Sequence, residues 1–184
     1  TEECNKLLTT GRNKLKNIGE SKGTVTLSID ERFCYVTYQG KSEKIVKHTY
    51  ERLKEKWIEY VEDTPQSLLF EEVLWIMLKR YSYLGLYREG SGRVNNKQAA
   101  VPKDKYMRLK TEFNSCVECF GSFFNHSLPY YFGLFPDIEK PFGCLGNFFD
   151  ATFTSGFYVA NPPYIISVID RTITTILSHL KQAR

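Results

Sequence analysis

One short stretch of the sequence sets an amide side chain, two prolines and an aromatic ring side by side: Asn161, Pro162, Pro163 and Tyr164. It follows an apolar, β-prone run over residues 157–160. The prolines have no backbone N–H and a fixed φ, so the chain must leave the strand in a stiff extended turn. An amide offers hydrogen-bond donors and an acceptor, and a neighbouring ring offers a stacking face. The stretch therefore predicts a site for the edge and face of a nucleobase, or for another amide.

Two acidic residues stand at comparable places upstream. Glu118 ends a short apolar run ahead of Gly121 and Asn125, and Asp150 ends a predicted strand over residues 145–149. Ligands of open α/β sheets bind at the carboxyl ends of strands, where Glu118 would suit the charged methionine and ribose parts of a nucleoside cofactor. Asp150 would accept from a ribose hydroxyl or an adenine amine. Each acid alone is better explained as an exposed strand end, but polar groups at three consecutive strand ends favour a site.

Length and composition describe an ordinary globular protein. The 184 residues are 42% hydrophobic and 25% charged, enough for one core and a small appended lobe. No apolar run approaches the roughly 18 residues of a membrane span and no secretory signal is visible, so no membrane partner is expected. Five cysteines, an odd number, favour reduced thiols in an intracellular compartment, nuclear or cytoplasmic. Because the chain starts at Thr1, we expect a domain of a longer protein.

The net charge of +4 is unevenly distributed along the chain. Residues 1–110 carry 21 Lys and Arg against 15 Asp and Glu, whereas residues 111–184 carry 4 against 6. A basic front part beside an apolar, slightly acidic part suits an anionic partner on the first and small-molecule chemistry in the second. Lys-rich but merely solvated helix surfaces explain the same counts equally well.

Periodicity predicts a mainly helical front part with one hairpin. Alternating residues over 24–29 and 33–38, separated by Asp-Glu-Arg, predict the hairpin. Helical spacing of apolar or polar residues predicts the helices. Four helices are predicted, over residues 2–17, 46–61, 69–81 and 104–113. Asp104 is the expected N-cap of the last one.

The rest of the chain alternates short apolar strands with helical segments, which indicates a parallel α/β sheet. Strands are predicted over residues 116–120, 130–135, 145–149 and 157–160. A final helix over 165–180 has an apolar inner side formed by Ile169, Ile173, Ile176, Leu177 and Leu180. The predicted fold class is α/β, with a mainly helical basic lobe over residues 1–105 and the sheet over 106–184. The boundary is expected between residues 95 and 115.

Three other patterns could indicate a function, but each has a simpler structural explanation. Cys116 and Cys119 have metal-ligand spacing, but zinc needs four ligands and the histidines are scattered, so packed cysteines and no metal are predicted. The glycine-rich stretch 90–93 is either a phosphate-contacting loop or, more simply, a connector. Trp57 and Trp75 are spaced like the pair of a WW domain, but both lie in helical patterns and are predicted to be core residues.

Several stretches occur in an order that resembles one known family. They run from Leu74-Trp75 and Arg80-Tyr81 through the segments 98–102, 118–125, 135–137 and 142–146 to Asn161-Pro162-Pro163-Tyr164. Asn-Pro-Pro-Tyr by itself resembles the motif of S-adenosylmethionine-dependent methyltransferases that act on amino groups of adenine, cytosine or glutamine. The whole series, over about residues 65–180, is similar to the catalytic core of the phosphorylated-C-terminal-domain-interacting factor family. That family methylates N6 of the adenosine next to the messenger RNA cap.

The resemblance implies a helical lobe packed on a Rossmann-like methyltransferase domain, with capped RNA bound across both. It implies S-adenosylmethionine as the cofactor. It places the target adenine at Asn161, Pro162, Pro163 and Tyr164. The residues that it implies border the cofactor are Glu118, Phe120, Gly121, Ser122, Asn125 and Asp150.

Two departures from the family pattern keep alternatives open. Phe123 stands where the family typically has proline after the serine. A methyltransferase sheet has about seven strands, and the sequence predicts none after the final helix, so the Rossmann-like sheet looks truncated. A protein partner or a further chain segment would then complete it. The competing hypotheses are a catalytically inactive scaffold or RNA-binding subunit, and a methyltransferase that acts on DNA adenine or on a protein glutamine.

Overall fold

The computed structural model describes residues 23–88, 90–94, 101–153 and 155–182. Contacts divide the chain into two compact units, Thr1–Asn95 and Asn96–Arg184. The helix predicted over residues 2–17 lies outside the described residues. The predicted domains, residues 1–105 and 106–184, remain a prediction.

The first unit begins with a three-stranded antiparallel sheet in the order β1 (Thr26–Ile29), β2 (Phe33–Tyr38), β3 (Lys41–Val46). The predicted hairpin of β1 and β2 is confirmed. Asp30 closes its turn, because one carboxylate oxygen accepts two backbone N–H groups at 2.7 Å each. The next turn contains Gly40 and is tight, with positive φ at both central residues, which suits the twist of a two-residue hairpin.

The sequence does not predict β3, because its inward positions break the apolar pattern. Glu43 and Ile45 both face the core at 1% exposure. The Glu43 carboxylate accepts from Lys79 Nζ and from the Gly90 backbone N–H, each at 2.9 Å. In a sequence, a charge that is buried and paired looks the same as a charge on the surface.

Two helices, α1 (Lys47–Asp63) and α2 (Phe70–Tyr83), pack on this sheet and confirm two predicted helices. Trp57 of α1 and Trp75 of α2 are 8% and 4% exposed. The Trp75 ring centroid lies 5.8 Å from that of Tyr38 in β2. Both tryptophans are therefore core residues, as predicted.

The glycine-rich stretch over residues 90–93 joins two short antiparallel strands, β4 (Tyr87–Arg88) and β5 (Arg93–Val94). Gly92 packs against the Phe33 ring so closely that a Cβ would lie 2.8 Å from a ring carbon. This packing favours the connector interpretation of the stretch.

The second unit contains the helices α3 (Lys103–Phe113), α4 (Pro136–Glu139) and α5 (Ile166–Gln182). The predicted N-cap at Asp104 is wrong, because the N-cap lies two residues earlier and Asp104 is in the first turn of α3. Pro102 holds the N-cap position, where its ring fixes the backbone that enters the helix. Among the described residues, no helix is both long and apolar enough to cross a membrane.

A parallel sheet, as predicted, forms the centre of the second unit. Its spatial order is β7 (Tyr130–Tyr131), β6 (Val117–Glu118), β8 (Tyr158–Val159). An isolated parallel bridge between Tyr131 and Cys144 places a further segment, residues 143–146, on the outer side of β7. All these segments end at the same edge of the sheet, here called the carboxyl edge.

The strand predicted over residues 145–149 is wrong. Extended pairing with β7 ends at Gly146, and Phe148–Asp150 form a 3-10 turn. Asn147 explains the change, because its side chain accepts a backbone N–H of the turn at 3.1 Å and caps it. Asp150 therefore lies in a turn rather than at a strand end.

Helix α5 buries one strip of its surface. Thr172 is 3% exposed, and Ile176 packs on a cluster of Cys119, Phe132 and Phe148. The predicted inner side is wrong for three of its residues, since Ile173, Leu177 and Leu180 are 51%, 51% and 59% exposed. Helical periodicity shows that a face is apolar, but it does not show whether another element covers that face.

Candidate active site at the carboxyl edge of the sheet

The two main groups of predicted site residues follow neighbouring strands. Glu118 of β6 pairs in register with Val159 of β8. The pairing continues past the strand end, where the Cys119 N–H donates to the Val159 carbonyl at 2.7 Å. The loop after β6 and the turn that begins at Asn161 therefore leave the sheet side by side.

Glu118 faces the interior and is 2% exposed. Its carboxylate accepts the backbone N–H of Leu128 at 2.7 Å and that of Ser127. It also accepts from the Tyr106 hydroxyl of α3, and burial together with the Glu118 charge raises the pKa of Tyr106. Glu118 thus joins β6, α3 and the end of the following loop, and its carboxylate is engaged by the protein itself.

The turn over residues 121–125 is held by its own polar side chains. Asn125 Oδ1 accepts from the Ser122 backbone N–H at 3.0 Å and from the Ser122 hydroxyl at 2.6 Å. Gly121 lies so close to Tyr131 of β7 that a Cβ would come within 2.5 Å of the tyrosine Cβ. Glycine is therefore required for the turn to lie against the sheet.

A buried polar cluster beneath this turn is not predicted from the sequence. Glu139 of α4 is 0% exposed, and its Oε2 accepts from the Tyr131 hydroxyl at 2.7 Å and the Phe123 N–H at 3.1 Å. His126 stacks on Tyr131 with ring centroids 4.5 Å apart, and its Nδ1 lies 2.8 Å from the Ser122 carbonyl. An isolated glutamate after Pro-Asp resembles a surface residue, so the sequence offers little signal for this cluster.

Aromatic rings form the apolar lining around the turn. Phe120 is half-buried, with ring centroids 4.7 Å and 5.9 Å from Phe148 and Phe149. Phe123, which replaces the proline of the resembling family, is fully buried and meets the Phe142 ring edge-on at 4.8 Å. Unlike proline, it supplies a backbone N–H, and that group reaches the buried carboxylate below the turn.

Asp150 is exposed, and its Oδ2 accepts from the Asn147 side chain at 2.9 Å. The adjacent Phe149 ring lies under the guanidinium of Arg171 in α5, 4.1 Å from the ring centroid. Asp150 is therefore a solvent-facing carboxylate held in one orientation by its own turn.

The Asn161–Tyr164 turn is open to solvent. Asn161 is half-buried and Tyr164 is 82% exposed. The Tyr164 hydroxyl approaches Asn161 Oδ1 at 3.5 Å, the outer limit of a hydrogen bond. The Ile165 N–H donates to the Pro163 carbonyl at 2.7 Å, which leads the chain directly into α5. An amide and an uncovered ring are thus presented together.

The cysteines near β6 are packed rather than clustered. Cys119 is 2% exposed, and burial raises the pKa of its thiol to about 12. Cys116 is half-buried. Among the described residues, no group of three or more His, Cys, Asp or Glu side chains is arranged to hold a metal ion.

Comparison with known proteins identifies the family. The model of the phosphorylated CTD interacting factor 1 WW domain matches residues 46–184. A Mus musculus protein named mRNA (2'-O-methyladenosine-N(6)-)-methyltransferase is 29% identical over 157 residues, 82% of this chain and 21% of that protein. The Homo sapiens protein of the same name is 28% identical over 157 residues, with the same shares covered. The chain thus spans about a fifth of the length of these curated relatives, and it belongs to the phosphorylated CTD interacting factor 1 family.

Proposed function

We propose that this chain carries the site of an S-adenosylmethionine-dependent RNA methyltransferase that acts on N6 of the cap-adjacent adenosine. The observation that carries the proposal is the position of the Asn161–Tyr164 turn beside the glycine turn after β6. In chain order the four parallel segments are β6, β7, residues 143–146 and β8, and their spatial order is third, second, first, fourth. This order supports a Rossmann-like sheet, in which the first four strands have the order 3-2-1-4 and ligands bind between the first and the fourth. The names of the two relatives, which specify N6 of 2'-O-methyladenosine in mRNA, support an adenosine N6 of RNA as the methylated position.

The adenine side of the proposed reaction needs few protein groups. The exocyclic amine is a poor nucleophile because its lone pair is delocalised into the ring. Asn161 Oδ1 and the Pro162 carbonyl would accept its two N–H groups and so direct the lone pair out of the ring plane. The exposed Tyr164 ring would stack on the base. Pro163 fixes the backbone that leads to Tyr164.

The residues after β6 fit a nucleoside cofactor. Gly121 lets the backbone approach closely, and the turn that contains Ser122 and Asn125 supplies polar groups. Phe120 supplies apolar lining, and Asp150 offers an exposed carboxylate for a ribose hydroxyl or an amine. When bound, S-adenosylmethionine would supply an already activated methyl group. Glu118 would support the loop rather than contact the cofactor, because its carboxylate already accepts the backbone N–H groups of Ser127 and Leu128.

Capped RNA as the partner is supported by charge. Residues 97–113 contain five basic residues, Lys97, Lys103, Lys105, Arg108 and Lys110, and two acids, Asp104 and Glu112. Lys105 and Arg108 pair with these acids, and the remaining charge of the segment is positive. The second half of this segment is α3, which the Tyr106–Glu118 hydrogen bond fixes beside the carboxyl edge. We therefore extend the proposed RNA contact from the basic lobe over residues 1–105 to the exposed side of α3. A cap-adjacent adenosine is at a strand end and can enter the site without the opening of a duplex.

The test of the proposed function is methyl transfer itself. Purified protein is incubated with methyl-deuterated S-adenosylmethionine and capped RNA that starts with adenosine, and the nucleosides are analysed by mass spectrometry. We expect labelled N6-methyladenosine with the wild type and with the surface control Ser178→Ala, and roughly 100- to 1,000-fold slower labelling with Asn161→Ala. Lack of transfer by the wild type would overturn the proposal. RNA lacking the cap, duplex DNA and a glutamine-containing protein, used as competing substrates, separate the alternatives.

A second candidate, a non-catalytic scaffold or RNA-binding subunit, is favoured by the exposed apolar face of α5. Ile173, Leu177 and Leu180 form a surface that would suit a protein partner or a further chain segment that completes the sheet. Calorimetry separates the two functions. S-adenosylmethionine binding would argue against a pure scaffold, whereas absence of binding together with tight RNA binding would favour one.

A further inference from the structure

A buried carboxylate lies beneath the turn that follows β6. Glu139 is 0% exposed and its Oε2 accepts from the Tyr131 hydroxyl at 2.7 Å and from the Phe123 N–H at 3.1 Å. A buried carboxylate is costly unless donors hold it, so these donors and the charge fix each other. We propose that Glu139 is a positioning residue that sets the turn over residues 121–125 for cofactor binding. The inference rests on the proposed function.

Tyr131 transmits this constraint because it is packed on several sides. A Cβ on Gly121 would lie 2.5 Å from the Tyr131 Cβ, and a Cβ on Gly133 would lie 2.9 Å from its ring. His126 stacks on the same ring at 4.5 Å. The Tyr131 hydroxyl therefore has one available position, and the Glu139 oxygen that accepts from it is placed equally narrowly.

The second donor connects Glu139 directly to the turn. Phe123 follows Ser122, and the Phe123 ring is fully buried against Phe142. With its ring packed and its N–H bonded, Phe123 anchors the middle of the turn. Glu118 holds the far end, through the N–H of Leu128. Two buried carboxylates thus fix one loop at two points, and Glu139 acts on the part that contains the candidate cofactor residues.

The test compares Glu139→Gln and Tyr131→Phe with Glu51→Gln, a surface carboxylate variant, in the purified protein. Glutamine keeps the size of Glu139 but removes its charge, and Tyr131→Phe removes one donor without change to the backbone. We expect each to raise the KM for S-adenosylmethionine about tenfold, with kcat and the KM for RNA within about twofold of the wild type. The backbone amides of residues 121–125 should exchange with deuterium faster in both variants and unchanged in Glu51→Gln.

A purely structural role predicts a different result. A lower Tm in both variants with an unchanged KM for S-adenosylmethionine would overturn the inference, as would a loss in kcat alone. Amide exchange keeps the two proposals distinguishable. If the wild type neither binds S-adenosylmethionine nor transfers methyl groups, the proposed function fails and the cofactor role of Glu139 fails with it. Faster exchange would then support the positioning of the turn itself, and unchanged exchange would overturn that as well.

Discussion

Two loops leave the same edge of the parallel sheet and are held in opposite ways. The loop over residues 121–128, which includes the turn over 121–125, lies on buried carboxylates, with Glu118 and Glu139 both at 2% exposure or less. The turn over residues 161–164 has a half-buried asparagine and a tyrosine that is 82% exposed. Side-chain hydrogen bonds fix the first loop, whereas two proline rings stiffen the second.

The two loops suit different tasks in the proposed site, one for the cofactor and one for RNA. A small cofactor gains affinity from a turn that is already in place, because no ordering cost accompanies binding. An RNA end needs an open surface that it can reach, and the stiff backbone of the two prolines keeps the amide and the ring close together there. Changes in the first loop should therefore affect stability and cofactor affinity, and changes in the second should affect turnover or RNA binding at constant stability.

The largest expected effect contrasts the two asparagines. Asn161→Ala should lower kcat roughly 100- to 1,000-fold with an unchanged Tm, because it removes an acceptor for the reacting amine from an open turn. Asn125→Ala should lower Tm and weaken S-adenosylmethionine binding, because Asn125 Oδ1 accepts two hydrogen bonds inside its turn. Steady-state kinetics and thermal unfolding check both. A Tm loss in Asn161→Ala as large as in Asn125→Ala would break the comparison.

Gly121→Ala should have the next largest effect, this time on stability. The added Cβ would lie 2.5 Å from the Tyr131 Cβ, so the turn must move away from the sheet. Overpacking of this kind costs about 1–3 kcal/mol of unfolding free energy. Ala160→Ser, in the exposed approach to the other turn, is the control and should stay within about 0.5 kcal/mol. Equal denaturation midpoints for the two variants would contradict the account.

Tyr164→Ala should raise the KM for capped RNA about tenfold, since one base–aromatic stack contributes about 1–3 kcal/mol. Stability should not change, because the ring is 82% exposed. Tyr164→Phe keeps the stacking face and should behave like the wild type. A defect in Tyr164→Phe equal to that of Tyr164→Ala would show that the hydroxyl, rather than the ring face, matters.

Asp150→Ala should give the smallest effect. The carboxylate is exposed and already accepts from Asn147 at 2.9 Å, so its loss should raise the KM for S-adenosylmethionine about threefold. The RNA KM and the Tm should be unchanged. Asp170→Ala, an exposed acid of α5, is the matched control. If Asp150→Ala had the same KM for S-adenosylmethionine as Asp170→Ala, Asp150 would have no role in cofactor binding.

Local patterns in the sequence predict the parts of this fold that depend on local chemistry. The hairpin around Asp30, the helices that bury Trp57 and Trp75, and the strand that stops before Asn161 all follow from periodicity and turn residues. The same patterns place Glu118 and Asn161 at the ends of neighbouring strands, because parallel strands share an edge.

Long-range pairing explains what the sequence leaves out. Glu43 and Glu139 look like surface charges, and they are buried because donors from distant segments meet them. The strand predicted over residues 145–149 does not form, because Asn147 caps a turn in the middle of this apolar run. The predicted inner side of α5 is partly wrong because periodicity identifies an apolar face but does not show whether another element packs against it.

Hydrogen–deuterium exchange of the wild type tests the central contrast most directly. Exchange is followed for the protein alone, with S-adenosylmethionine, and with capped RNA added. Amides over residues 121–128 should exchange slowly before any ligand is added, because Glu118 and Glu139 already accept hydrogen bonds from this loop. In the second turn only Asn161 and Tyr164 carry a backbone N–H, and these two amides should exchange fast until RNA is present. Equally fast exchange in both loops of the protein alone would contradict the account.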